Sequence, residues 1–499
     1  MRRIVAALVS AVTALSTLGL LVATAGGLIV APVTVVPDHP FASCDISSQD
    51  TEGGTNYLNA EVEPWVAVNP TNPRNIIAVF QQDRWSNGGA RGLVAAATHN
   101  GGASWSTSWA HFTTCSGGTV ANGGNYDRAS DPWVTFSPNG DAYQIAINFD
   151  LGPVGFGSVS AVTVSKSTNG GDSWSEPVTL IKDTSPNALN DKESITADPG
   201  NANYVYAVWD RLVSPTVQAN PHGFEHALGY RGPTWFSRTT DGGRSWEPAR
   251  IIYDPGEINQ TIANQIVVLP DGTLVDVMDL IFNFKNAHQA RGFNIAVMRS
   301  TDKGLTWSKP IIISKQQDAP VSDPTTGAPV RTGDIIPNIA VDRTTGNLYV
   351  VWQDGRFSSD GHAGIAFSKS TDGGLTWSAP VQINTVPSTQ AFTPSVAVAA
   401  DGTIGVTYYD FRNDTSSPPL TTDYWIVHSH DGGATWTEDH VAGPFDMTNA
   451  PVARGYFVGD YEGLASIGRS FVPLFIQTTS SSSNMTDPFF TIASPSARR

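Results

Sequence analysis

Ser370-Thr-Asp-Gly-Gly-Leu-Thr-Trp377 decides how the rest of the chain is read, because the pattern occurs six times. The other copies occupy residues 98–105, 167–174, 239–246, 300–307 and 429–436, each reading Ser/Thr, any, Asp/Asn, any, Gly, any, Ser/Thr, Trp. Their closing residues, Trp105, Trp174, Trp246, Trp307, Trp377 and Trp436, recur at intervals of 59–72 residues. Self-similarity at such a period marks a repeat architecture and constrains the fold before any local reading. The chemistry is that of a tight β-hairpin. The Asp372 carboxylate can fold back onto backbone N–H groups, and Gly373-Gly374 can take the positive φ such turns need. Thr376 can bond the turn from its other side, and Trp377 opens the next strand as a wedge between sheets. The same structural role falls to Asn100, Asn169, Asp241, Asp302 and Asp431.

Outward from the hairpins, short β-branched and aromatic runs bounded by Gly, Asn, Asp and Pro give a four-strand unit. In the first copy the strands are expected at 64–68, 76–82, 92–98 and 106–112, with the hairpin joining the last two. The order recurs from Trp133, Ser194, Ile262, Asn338 and Pro394. Beyond Trp436, residues 456–466, 470–477 and 488–493 read as three further strands without a hairpin box, and 55–60 is the expected fourth. Closure of the ends in this way removes exposed sheet edges. The fold class is therefore an all-β propeller of antiparallel four-stranded blades, seven favoured over six, occupying 55–499. Antiparallel order places all six hairpins on one rim, so a ligand is expected on the opposite face around the central channel.

The totals agree with this class. Gly 47, Pro 33 and Trp 14 suit a turn-rich β protein, and a formal charge of −16 argues against nucleic acid or anionic membrane as the main partner. Arg2-Arg3 and the uncharged run from Ile4 to Ala25 form a secretory leader (1–25) with a small-residue cleavage site at Ala23-Thr24-Ala25. Release is favoured over a retained N-terminal anchor, the only membrane contact expected. Residues 26–54 read as a spacer or arm. In an oxidising compartment a disulfide between Cys44 and Cys115, tying the arm to the first blade, is favoured over two unpaired thiols.

The six boxes resemble the Asp-box, or bacterial neuraminidase repeat, of the sialidase superfamily. The resemblance spans nearly all the chain after residue 60. It implies a secreted or cell-surface, carbohydrate-active propeller: a sialidase-like glycoside hydrolase, with exo-alpha-sialidase activity as its most specific form. A non-catalytic propeller binding carbohydrate or protein is the alternative, since fold does not determine activity. The family holds a sugar carboxylate with three arginines and uses a tyrosine nucleophile, a glutamate and an acid/base aspartate. Matching by chemistry assigns Arg128, Arg331 and Arg454 to the clamp, Tyr456 or Tyr461 with Glu462 to the nucleophile, and Asp83 to the acid, with Arg84 beside it as a substrate-binding residue. Where the family opens its first blade with Arg-Ile-Pro, this strand reads Val62-Glu63-Pro64-Trp65-Val66.

Second strands end at Asp83, Asp150, Asp210, Asp279, Asp354 and Asp410, four of them followed by an arginine. Such repetition points to turn caps or ion pairs between blades. Residues that break the repeat are better site candidates: Tyr126-Asp127-Arg128 and Asp131, Asp191-Lys192-Glu193, Arg331 and Asp334, and Arg454 to Glu462. Trp85, in an Asn/Gly-rich loop, reads equally as a sugar-stacking platform and as core. His222 and His226 are not read as a metal pair, and neither a metal nor a cofactor is expected. The expected partner is a glycan or glycoconjugate, and the expected state is a monomer.

Overall fold

The computed structural model describes residues 28–35, 39–45, 53–151, 159–215, 230–283, 291–415 and 418–495. The leader, its cleavage site and the His222/His226 pair lie outside the described residues. The described chain is all-β. Six units each place four strands in chain order, neighbour beside neighbour. The first runs Val62–Val68, Ile76–Arg84, Ala90–Thr98 and Ser106–Ser108. The sixth runs Ala391–Val398, Ile404–Asp410, Thr421–Ser429 and Thr437–Asp446. Between them lie units whose first strands are Arg128–Phe136, Ala188–Ala197, Gln260–Val268 and Asn338–Val341. These first strands neighbour one another in sequence order, and Gly463–Ile467 of the last sheet lies between the sixth and the first. The cycle of neighbours thus returns to its start.

The last sheet corrects one expectation. Its strands Gly463–Ile467, Ser470–Ser481 and Asn484–Phe490 are joined by Val33–Thr34, which pairs with Phe490 and Phe489. The segment 55–60 instead turns at Tyr57–Ala60, with Asn59 at positive φ, and makes only isolated bridges from Asn56 to Trp85 and from Ala60 to Thr486. A turning segment cannot complete an edge, whereas the extended arm can. The arm is therefore part of the fold and not a free spacer. Val35 and Phe41 are buried among Val66, Phe80, Val472 and Phe490, and Cys44 is bonded to Cys115.

The repeated box explains how units dock. Asp372 Oδ1 accepts from the backbone N–H of Leu375 and Thr376 at 3.0 and 2.9 Å, and Thr376 Oγ1 donates to Oδ2 at 2.6 Å. Ser370 Oγ accepts from Gly374 N at 2.8 Å and donates to Asp372. The second glycine has a further duty. A Cβ at Gly433 would lie 2.6 Å from the Phe367 ring of the preceding unit, and one at Gly304 would lie 2.6 Å from Phe236. The box tryptophan stacks edge-on to the same ring: Trp436 on Phe367 at 5.1 Å, Trp307 on Phe236 at 5.7 Å, and Trp105 on Phe490 at 5.1 Å. That last pair carries the dock from the final sheet to the first unit.

Candidate functional site

The first strands share a second device. In five of them the register slips by an extra residue, between Val62 and Trp65, Ser130 and Trp133, Asp191 and Ser194, Ile262 and Gln265, and Phe392 and Ser395. Each slip contains a non-glycine residue at positive φ: Glu63, Asp131, Lys192, Ala263 and Thr393. A bulge re-aims one side chain and costs local backbone strain, which clusters at functional positions. Here the bulged side chains of neighbouring units meet on the ring axis. Lys192 Nζ lies 2.9 Å from Asp131 Oδ2, 2.8 Å from Asp460 Oδ2 and 3.7 Å from Glu63 Oε1. One ammonium thus joins carboxylates from three other units. Arg331 Nε donates to Asp460 Oδ1 at 2.9 Å, and Arg84 Nη1 lies 3.9 Å from Glu63 Oε2. Both guanidinium groups lie over the Phe457 ring, at 4.4 and 4.8 Å.

Burial and charge drive these carboxyls apart. Burial first, then the charge of Asp131, pushes the Glu63 carboxyl up to about 8. Burial acts in the same sense on Asp460, but Arg331 and Lys192 overcome it and hold that carboxyl well below the usual range. For Lys192, burial is likewise overcome by Asp131, Asp460 and Glu63, which keep the ammonium charged. At neutral pH the axis therefore holds a protonated Glu63 beside an ionised Asp460, carboxyls whose surroundings push them in opposite directions. Beside it, Trp65 and Trp133 stack with centroids 3.5 Å apart, and Tyr461 lies edge-on to Trp65 at 6.1 Å. A small space of about 10 Å³, room for one water, is bounded by Trp133, Lys192, Glu193, Asn264, Gln265 and Tyr461 among others.

The structure redistributes the roles expected from sequence. Asp83 is not placed as an acid: its Oδ1 accepts from Asn59 N at 2.8 Å and its Oδ2 lies 3.7 Å from Arg91, pinning the segment before the first unit. Tyr461 and Glu462 do not form a nucleophile–base pair. Tyr461 donates to Pro132 O at 3.4 Å, and burial with the Glu63 charge pushes its phenol up, the wrong direction for a nucleophile. Glu462 turns to the other side and accepts from Tyr409 Oη at 2.8 Å within the core. Tyr456 is half-buried in a two-residue strand running parallel to Val330 and Arg331.

The arginines also separate. Arg128 donates to Asn87 Oδ1 and Gly88 O, both at 2.7 Å, and lies 4.1 Å over the Trp85 ring. Arg331 binds Asp460, and Arg454 is exposed. The three do not form the expected clamp; Arg84 and Arg331 are the pair brought together. Trp85 is 2% exposed and so cannot serve as a stacking platform. Asp354 and Asp410 do cap their own turns, each binding the arginine two residues on. The residue missed from sequence is Glu63. Its signal was present as a repeated acid-Pro-Trp, Glu63-Pro64-Trp65 and Asp131-Pro132-Trp133.

Comparison with known proteins follows the boxes. Residues 233–454 match the model of the BNR repeat-like domain. A sialidase of Bacteroides fragilis (strain YCH46) is 29% identical over 211 residues, 38% of this chain and 36% of its own length, so the chain spans about a third of that relative. Among solved structures, the Hadza microbial sialidase Hz136 is similar at a TM-score of 0.47 and 16% identity, covering 84% of this chain and 73% of its own. A protein of unknown function from Dyadobacter fermentans DSM 18053 is similar at 0.46 and 14%, covering 89% of this chain and 100% of its own. The six Asp boxes and the match over residues 233–454 show BNR repeats in this chain and make it similar to proteins of the sialidase superfamily.

Proposed function

We propose that this protein is a secreted glycoside hydrolase acting on glycans, built as a seven-bladed propeller, with its reacting groups on the ring axis. Glu63 is the proton donor and Asp131 its carboxyl partner, while Lys192, Arg331 and Asp460 position them. The observation that carries this reading is the pair of carboxyls held within 4 Å of one ammonium, with Glu63 raised to about 8. Two carboxyls flanking the scissile bond are the working groups of glycosidases that use two acids. The Bacteroides relative and the BNR model support a carbohydrate substrate, and a terminal sialic acid is the specific substrate proposed. The Cys44–Cys115 bond supports export, because such bonds persist in oxidising compartments.

A second reading is favoured by one observation. Glu63, Asp131, Lys192 and Asp460 are all buried and bound to one another. In that reading the cluster is an ionic clasp between units and the propeller binds glycan without cleaving it. An assay of the full chain on a fluorogenic sialoside and a set of neutral aryl glycosides decides between them. Turnover that falls about 10²-fold or more in Glu63→Gln and Asp131→Asn supports the hydrolase. Turnover unchanged in both variants contradicts the assigned residues, and no turnover on any glycoside leaves the binding propeller.

A further inference from the structure

On the face opposite the boxes, between the fifth and sixth units, lies an open cavity of about 370 Å³. That volume falls in the range of small-ligand sites, whereas the space on the axis holds one water. Four separate segments wall it. Pro324 comes from the accessory hairpin after the fourth unit, and Asp360 and His362 from the loop between the second and third strands of the fifth. Ser388, Thr389 and Gln390 come from the link to the sixth unit, and Phe411, Arg412 and Asp414 from its own second loop.

The walls are fixed before any ligand arrives. His362 Nδ1 lies 2.6 Å from Asp360 Oδ1, and its Nε2 lies 2.9 Å from Pro387 O. Gln390 is held at both ends of its amide by Ser322 backbone, at 3.0 and 2.7 Å. Asp414 Oδ1 accepts from Thr421 N at 2.9 Å. Such prior ordering lowers the entropic cost of binding.

Charge selects the ligand class. Two carboxylates, two hydroxyl side chains, the Gln390 amide and the His362 imidazole line the cavity with one guanidinium. That guanidinium is already committed: Arg412 Nε donates to Asp410 at 2.6 Å, and its Nη1 and Nη2 donate to Glu438 at 2.5 and 2.9 Å. An anion would meet Asp360 and Asp414, while both ring nitrogens of His362 are already taken up by Asp360 and by Pro387 O. Among the described residues no group of three His, Cys, Asp or Glu side chains is placed to hold a metal. Acceptor-rich carboxylates beside hydroxyls and a few apolar edges suit the vicinal hydroxyls and C–H faces of an uncharged sugar.

We propose that this cavity is a binding site for a neutral mono- or disaccharide unit, separate from the carboxyl cluster on the axis. It requires no catalysis at Glu63. The test titrates lactose, maltose and cellobiose, with 3′-sialyllactose as the anionic contrast, into the full chain and into Asp360→Asn/Asp414→Asn, with thermal unfolding to verify that the variant is folded. The expected result is a Kd below about 10 mM for at least one neutral disaccharide, weakened 10-fold or more in the double variant and unchanged in Glu63→Gln. Three outcomes overturn the proposal: no neutral disaccharide binds in that range, binding is unaffected by the double variant, or binding is lost with Glu63→Gln. Tighter capture of sialyllactose than lactose through Asp360 and Asp414 overturns the charge argument as well. Because hydrolysis and saccharide binding are read in separate variants, failure of the hydrolase reading leaves this result legible.

Discussion

The box rim and the ring axis use the same side-chain type to opposite ends. On the rim, aspartate occupies the third box position in four of six units and asparagine in the other two; hydrogen bonds from Thr376 hold the Asp372 carboxyl down at about 2. On the axis, Glu63 and Asp131 occupy equivalent bulges and Asp460 has no counterpart among them; all are buried, and burial with charges from other units pushes Glu63 up to about 8 while Asp460 falls. The rim closes each hairpin on itself, and the axis joins units far apart in sequence. The repeated box thus serves the folding of each unit, whereas on the axis a repeated bulge carries a different side chain in each unit.

Substitutions can sharpen that contrast. Lys192→Met removes the one ammonium shared by three buried carboxylates. Breaking a buried ion group by removing one partner costs about 3–5 kcal/mol, so urea unfolding is expected to show a loss of that size. A loss below about 1 kcal/mol would mean that the axis is not an electrostatic junction. Cys44→Ser/Cys115→Ser releases the arm that completes the last sheet, and a loss of about 2–4 kcal/mol is expected in the same experiment. If stability is unchanged, strand pairing alone holds the arm. Gly433→Ala tests the rim. It places a Cβ at φ +85 and 2.6 Å from Phe367, for an expected loss of about 1–3 kcal/mol. A neutral result would show that the second glycine is not needed for docking.

Much of the fold was legible because the box is local. Its Asp, Gly and Trp determine a turn, a rim and a wedge within eight residues, and from them follows the strand order within each unit. The arm was misread because Val33 and Thr34 carry no periodic signal: two residues suffice to pair an edge, and only the position of that edge in space selects them over 55–60. The site was half legible. The connections that break the repeat did contain Asp131, Lys192, Arg331 and Asp460. Assigning roles within them failed where neighbouring residues diverge. Tyr461 and Glu462 leave the chain on opposite sides, one toward Trp65 and Trp133 and the other toward Tyr409, so adjacency in sequence separated them in space. Glu63 was passed over as the position of a missing arginine, although its acid-Pro-Trp setting is shared with Asp131.

The central claim, that Glu63 works as a protonated acid on the axis, is tested most directly by the pH dependence of kcat/KM for glycoside hydrolysis in the full chain. An acid whose carboxyl is raised to about 8 stays protonated below that pH and is lost above it, so the rate is expected to hold through neutrality and fall as pH rises past about 8. In Glu63→Gln the residual rate should lose this alkaline limb. A wild-type rate that already falls between pH 4 and 6, or a variant that keeps both the rate and the limb, would contradict the account.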